Sequence, residues 1–155
     1  MTRDPITISL LGEPIAFARS RISRGGTIYT PTPQRNYMAA LRNAADAAMS
    51  FAGEPPFDEP IHLELVAELG VPASWSKKKQ AQALLGLVRP AKRPDLSNLL
   101  KLAEDALNSV VFRDDCLIVS LYARKVFGVQ PKCVITVRPA VLARPGELPL
   151  REAAA

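Results

Sequence analysis

The chain has 155 residues, 48% of them hydrophobic and 23% charged, which suits one domain with a real core and argues against wholesale disorder. Lys and Arg outnumber Asp and Glu by 20 to 15, a net charge of +5 that favours polyanionic partners. Two cysteines, Cys116 and Cys133, and one histidine, His62, exclude a disulfide framework, a His-rich metal site and two-histidine phosphoryl chemistry.

Read in chain order, residues 6–11 (ITISLL) alternate as a strand that Gly12 and Pro14 end. Residues 17–33 are an Arg-rich loop or hairpin with its turn at Gly25-Gly26. A helix is predicted over about 33–50, with Thr32 as its N-cap and Tyr37, Leu41, Ala44, Ala45 and Ala48 at helical spacing. The connector GEPPFDEP (53–60) is too proline-rich for regular structure. IHLELVAEL (61–69) alternates as a half-buried strand with His62 on its wetter face, so His62 has no catalytic part here.

Residues 74–86 predict a short basic helix capped by Ser74 or Ser76 and stopped by Gly86. Its Trp75 reads as an anchor against the core in preference to a base-stacking platform. An extended basic stretch, 87–94, leads to a helix at about 96–109. Strands at about 116–126 and 132–138 follow, joined by GVQP and predicted to pair as an antiparallel hairpin. Cys116 and Cys133 do not face each other in such a hairpin and are expected to be free thiols. Residues 143–155 read as a flexible tail to a single domain over 1–142. Mixed strands and helices give an α+β class. No apolar run approaches the ~20 residues that span a bilayer. The N-terminus also lacks a secretory pattern, so the expectation is a cytoplasmic protein with no membrane partner.

The charge is unevenly laid out. No acid lies between Glu13 and Asp46, where Arg19, Arg21, Arg24, Arg35 and Arg42 fall. None lies between Glu68 and Asp95, where Lys77, Lys78, Lys79, Arg89, Lys92 and Arg93 fall. Between these basic stretches and another at 124–144 sits an acidic island: Asp95, Glu104, Asp105, Asp114 and Asp115. Carboxylates among cations suit metal-dependent chemistry on nucleic acid, the cations holding phosphates and the carboxylates a divalent ion. A solvated face with chance clustering is the competing reading.

The segment RPDLSNLLKLAEDALNSVVFRDD carries the sharpest signal. At 100° per residue its leucines and alanines fill one arc, while Asn98, Lys101, Asp105 and Asn108 share the other. Lys101 and Asp105 are four apart and placed to pair. Asp95 stands at the helix start, where an N-cap is the commoner use of an aspartate. The Asp114-Asp115 pair follows where the chain turns back into a strand. If it meets the first helix face, two or three carboxylates could bind Mg²⁺ or Mn²⁺.

PDLSNLLKLAEDALN followed by a DD pair closely resembles the signature of the RusA family of Holliday-junction resolvases, which runs P-D-hydrophobic-D-N, a lysine, D-A-L and D-D. TIYTPTPQRNYMAALRNAA resembles the family's Y-T-P segment entering its first helix, and IHLELVAEL and SWSKKK extend the likeness over about 6–139. The resemblance implies a small mixed sheet packed against two main helices. It implies a homodimeric endodeoxyribonuclease that binds branched double-stranded DNA and cuts symmetric strands with Mg²⁺ or Mn²⁺. Carried over by position, Asp95, Lys101 and Asp115 are the catalytic residues, and Asp95, Asp114 and Asp115 the metal-binding ones. Asp105 is expected to orient Lys101 or the loop. Arg19, Arg21, Arg24, Lys77, Lys78 and Lys79 are candidate DNA contacts.

One departure matters: the family's second aspartate, two residues after the first, is Ser97 here. Its hydroxyl is a neutral, weaker donor. Two other readings therefore stand beside a resolvase. One is a catalytically weakened junction-binding protein. The other is a small nucleotide phosphohydrolase, whose activity, unlike that of a DNA nuclease, would be insensitive to salt.

Overall fold

A computed structural model of the protein describes residues 3–141. In chain order these form β1 (Ile6–Leu11), β2 (Arg21–Ile22), β3 (Ile28–Tyr29), α1 (Thr32–Ala52), β4 (Ile61–Gly70), α2 (Lys77–Leu84), α3 (Leu96–Leu107), β5 (Ile118–Gly128) and β6 (Lys132–Pro139). A single 3₁₀ turn, Asp115–Leu117, precedes β5. The predicted tail, 143–155, lies outside the described residues.

The alternation of β4 places Ile61, Leu63, Leu65 and Ala67 wholly out of water on one face. Such a strand needs a partner on each side, and it has them in a four-stranded mixed sheet of order β1-β6-β4-β5. β6 is antiparallel to both β4 and β1, while β5 runs parallel to β4. Parallel neighbours need a long crossover, and here it carries α2 and α3. The expected β5–β6 hairpin is thus overturned: the loop 129–131 hops across the end of β4, and the two strands never pair. The hop is tight. The Gly12 N–H donates to the Pro131 carbonyl at 2.9 Å, and the Gly70 N–H to Glu13 Oε1 at 3.0 Å. A Cβ on Gly70 would collide with that Glu13 carboxylate.

α1 and α3 close one face of the sheet through a shared core. Leu41, Ala45 and Met49 come from α1, and Leu99, Leu102, Ala103, Ala106 and Leu107 from α3, as the helical spacing of each requires. These are the two main helices of the α+β architecture. Thr32 is not the cap of α1; it is already helical and Pro31 holds the cap position with no side-chain bond. Gly53, left-handed at φ 67°, ends the helix by donating to the Met49 carbonyl. Ser76 caps α2 by accepting from the Lys79 N–H, with Gly86 beyond its other end at φ 78°. The Gly25-Gly26 turn joins β2 to β3 as a short exposed hairpin. Cys116 is exposed and Cys133 buried, both free thiols, and burial pushes the Cys133 thiol up to about 11.

The loop leading to Asp114 is anchored from beneath. Phe57 and Phe112 are fully buried. The Phe57 N–H donates to the Val111 carbonyl at 2.8 Å, and the Arg113 N–H to the Phe57 carbonyl at 3.0 Å. The exposed Arg113–Asp58 ion pair at 3.1 Å adds at most about 1 kcal/mol, so the aromatic anchor dominates. Ser109 in this loop is the one described non-glycine residue at positive φ, 65°. A left-handed conformation costs a residue with a Cβ roughly 1–2 kcal/mol. Ser109→Gly is therefore expected to raise stability by about 1 kcal/mol after glycine's larger entropy loss, read as a higher urea midpoint at unchanged m-value.

Candidate active site

α3 starts where Pro94 hands the chain to Asp95, and its amphipathic stripe fixes which side chains face outward. The leucines and alanines go to the core, and Lys101 and Asp105 are exposed. Asp95 occupies the N-cap position in extended conformation, yet its carboxylate makes no capping bond. Its only side-chain partner among the described residues is the Asn98 amide, a long 3.4 Å from Oδ2. An aspartate at a helix start that does not cap leaves its oxygens available to something else.

A large open groove of about 960 Å³ runs along this helix start, lined by Phe17, Arg19, Arg93, Pro94, Asp95, Asn98 and Lys101 among others. One carboxylate thus sits among three cations. Two bonds hold the far wall: the Phe17 N–H donates to the Asn98 carbonyl at 2.9 Å, and the Ala18 N–H to Gln34 Oε1 at 2.8 Å. Gln34 is the only buried polar side chain among the described residues. Lys101 does not pair with Asp105, as its spacing suggested. Its Nζ lies 4.4 Å from the centroid of the Phe17 ring, so the cation is directed into the groove beside Asp95. Asp105 makes no ion pair among the described residues.

The second acidic element is placed differently from the expectation. Asp114 Oδ1 accepts the Cys116 N–H at 2.9 Å and caps the 3₁₀ turn, a bond that holds its carboxyl below the usual range. Asp115 faces the third turn of α3. Burial, then the charges of Asp115 and Asp105, push the Glu104 carboxyl up. At 1.5 Å per residue Glu104 is roughly 13 Å along the helix from Asp95. Among the described residues no three carboxylates converge into a cation site. The donor chemistry still fits Mg²⁺, which takes one or two carboxylates and completes its shell with waters and substrate phosphates. Ser97 is exposed one turn before Lys101 and offers only its hydroxyl.

Sequence reasoning missed Lys125. It stands on the helix-bearing face of β5 beside Ala67, where a charge is out of place. Its Nζ donates to the carbonyls of Lys92 and Pro94, at 2.8 and 2.9 Å. These two bonds tie the approach to Asp95 onto the sheet. Lys125→Met is expected to slow any reaction at Asp95 by about 10-fold or more at saturating substrate while leaving substrate affinity unchanged, since small misplacements of a reacting group are costly. Single-turnover rates beside equilibrium binding separate the two.

Of the expected DNA contacts, Arg19 lines the groove, Arg21 lies on β2 and Arg24 in the exposed hairpin turn. Lys77, Lys78 and Lys79 form the first turn of α2 with no acid there, against the helix dipole. A polyanion laid on that turn would relieve the mismatch.

The family model described as endodeoxyribonuclease RusA matches residues 12–138 of this sequence. The chain belongs to the RusA family. The match takes in the groove, both acidic elements and the sheet except β1 and the last residue of β6. The uncharacterized protein YqaN of Bacillus subtilis (strain 168) is 30% identical over 141 residues, 87% of this chain and 96% of that protein. RusA members are endodeoxyribonucleases that resolve branched DNA. No helix among the described residues is long and apolar enough to cross a membrane.

Proposed function

We propose that this RusA-family chain is a metal-dependent endodeoxyribonuclease that resolves four-way DNA junctions by symmetric phosphodiester hydrolysis. The observation that carries the reading is the groove at the start of α3, where the uncapping Asp95 carboxylate stands among Arg19, Arg93 and Lys101. Mg²⁺ or Mn²⁺ would be held by Asp95, with the Ser97 hydroxyl, waters and substrate phosphate oxygens completing its shell. It would neutralise charge at the scissile phosphate and acidify a water for attack. Arg19 and Arg93 bind the flanking phosphates without reading bases. Lys101 leaves the Phe17 ring at small cost, since an exposed cation–π contact is worth only about 0.5–1 kcal/mol. It then stabilises the charge that builds on the phosphorane or the leaving oxygen. Asp114 holds the turn that sets Asp115 toward the Glu104 end of α3. A homodimer meets the two equivalent strands of a junction with two equivalent grooves.

The test is a synthetic four-way junction beside linear duplex, with Mg²⁺ or Mn²⁺. Paired symmetric cuts on the junction, suppressed as salt rises, support the reading; a salt-insensitive release of nucleotides would overturn it in favour of a phosphohydrolase.

Ser97 favours a second reading, in which the chain binds junctions with cleavage weakened. Under it, Ser97→Asp restores a second carboxylate beside Asp95 and is expected to raise cleavage at limiting Mg²⁺ about 10-fold or more, the order by which one ligand-shell group changes metal affinity or activity. A titration of rate against Mg²⁺ for both proteins decides it. An unchanged curve would mean the serine is no handicap.

A further inference from the structure

The ridge formed by Arg93 and Pro94 has the catalytic groove on one side and a second cleft on the other, since both residues line both. The second cleft is about 450 Å³ and lies between the end of β4, the start of α2, the segment 88–94 and the end of β5. Its floor is apolar and aromatic. Trp75 and Phe127 meet edge to face, with ring centroids 5.3 Å apart at 72°. Its rim is cationic, with Lys79, Arg89 and Lys92. The one carboxylate in the lining, Glu13, is already engaged by the Gly70 N–H. Lys79 Nζ rests 3.9 Å over the Trp75 ring and so occupies an indole face with a flexible, displaceable group.

An aromatic floor with an indole face under a rim of one charge sign calls for a ligand that is planar and apolar at one end and anionic at the other. A nucleotide has that form. The rim cations would be wasted on an apolar peptide, and the floor on a plain polyanion. We infer that this cleft receives one unstacked nucleotide of the bound DNA, its base against Trp75 and its phosphate drawn to Lys79, Arg89 and Lys92. The inference rests on the DNA-cleaving reading above and adds a recognition site to it. A strand draped over the Arg93–Pro94 ridge then presents a phosphate to Asp95 while the neighbouring base enters the cleft. Such a base is available where strands exchange partners and stacking is interrupted.

Trp75 is the only tryptophan in the chain, so its emission reports on the cleft alone. The full chain is titrated, in EDTA to prevent cleavage, with a four-way junction and with the same junction carrying abasic sites at the crossover. The intact junction is expected to quench Trp75, and the abasic one to leave it bright and bind about 10-fold more weakly, the order of one base–aromatic stack. Trp75→Leu is expected to weaken the intact junction by a similar factor and to leave the abasic one unchanged. Equal affinity for both junctions with no quenching would overturn the nucleotide cleft while leaving the nuclease reading in place. No gel shift of any junction would overturn that reading and this one with it. Should Trp75→Leu fail to fold, the intact and abasic comparison on the unaltered protein decides the matter by itself.

Discussion

Asp95→Asn is expected to reduce junction cleavage by at least about 100-fold while junction binding holds or tightens. The two effects part because of the company Asp95 keeps. It is the only carboxylate in a groove whose other charged side chains are Arg19, Arg93 and Lys101. Removing its charge takes away the proposed metal donor and, at the same time, the one local repulsion felt by a phosphate. The fold should be untouched, because the carboxylate caps nothing and its one side-chain contact is a 3.4 Å approach from Asn98. Gel shifts and cutting assays on the same junction, with thermal melts as a control, check all three points. A variant that cuts at the rate of the parent would remove Asp95 from the chemistry and with it the proposed site.

Lys101→Met is the second large effect. Deleting one preorganised donor to transition-state charge typically costs about 2.7–4 kcal/mol, or 10²–10³ in rate. The folded state loses little, since Lys101 is exposed and engages only the Phe17 ring. Affinity falls slightly, by one phosphate contact, and the loss concentrates in the single-turnover rate. A junction with a bridging sulfur at the scissile position locates the effect. Sulfur leaves without needing a proton, so near-complete rescue places Lys101 at the leaving oxygen. Absence of rescue places it on the non-bridging charge. A Lys101→Met enzyme that cuts the ordinary junction normally would sink both assignments.

Local periodicity was a reliable guide to this protein wherever burial is one-sided. The alternation in IHLELVAEL and the leucine–alanine arc of α3 each reflect a single buried face, and both appear as read. The grouping of Asp95, at the helix start outside that arc, with Lys101 came from the family resemblance, and both line the groove together with Arg19. Strand order was not legible. GVQP satisfies a hairpin and a one-strand hop equally, and only the need of β4 for two neighbours separates them. The Lys101–Asp105 spacing also misled, because an exposed pair gains under about 1 kcal/mol and an aromatic ring reached from another segment competes with it. Gln34 and Lys125 carry no local signal at all. Each acts on backbone groups distant in sequence, Ala18 for one and Lys92 with Pro94 for the other. The facing of Asp115 and Glu104 likewise depends on how the loop anchored by Phe57 returns to the helix.

The hop of the chain across the end of β4 has a bearing on how the protein comes into being. Among the described residues β1 hydrogen-bonds to β6 alone, and β6 is the last strand in chain order. A nascent chain that has emerged as far as Gly128 holds every residue of the proposed catalytic groove, yet β1 still has no partner and β4 lacks one of its two flanks. The closing step joins pieces more than a hundred residues apart, such as Ile6 and Val137. Contacts of that span make assembly slow and all-or-none. Completion of the sheet is therefore the last step in framing the proposed groove, and a chain ending at Gly128 would carry the groove residues on an open sheet.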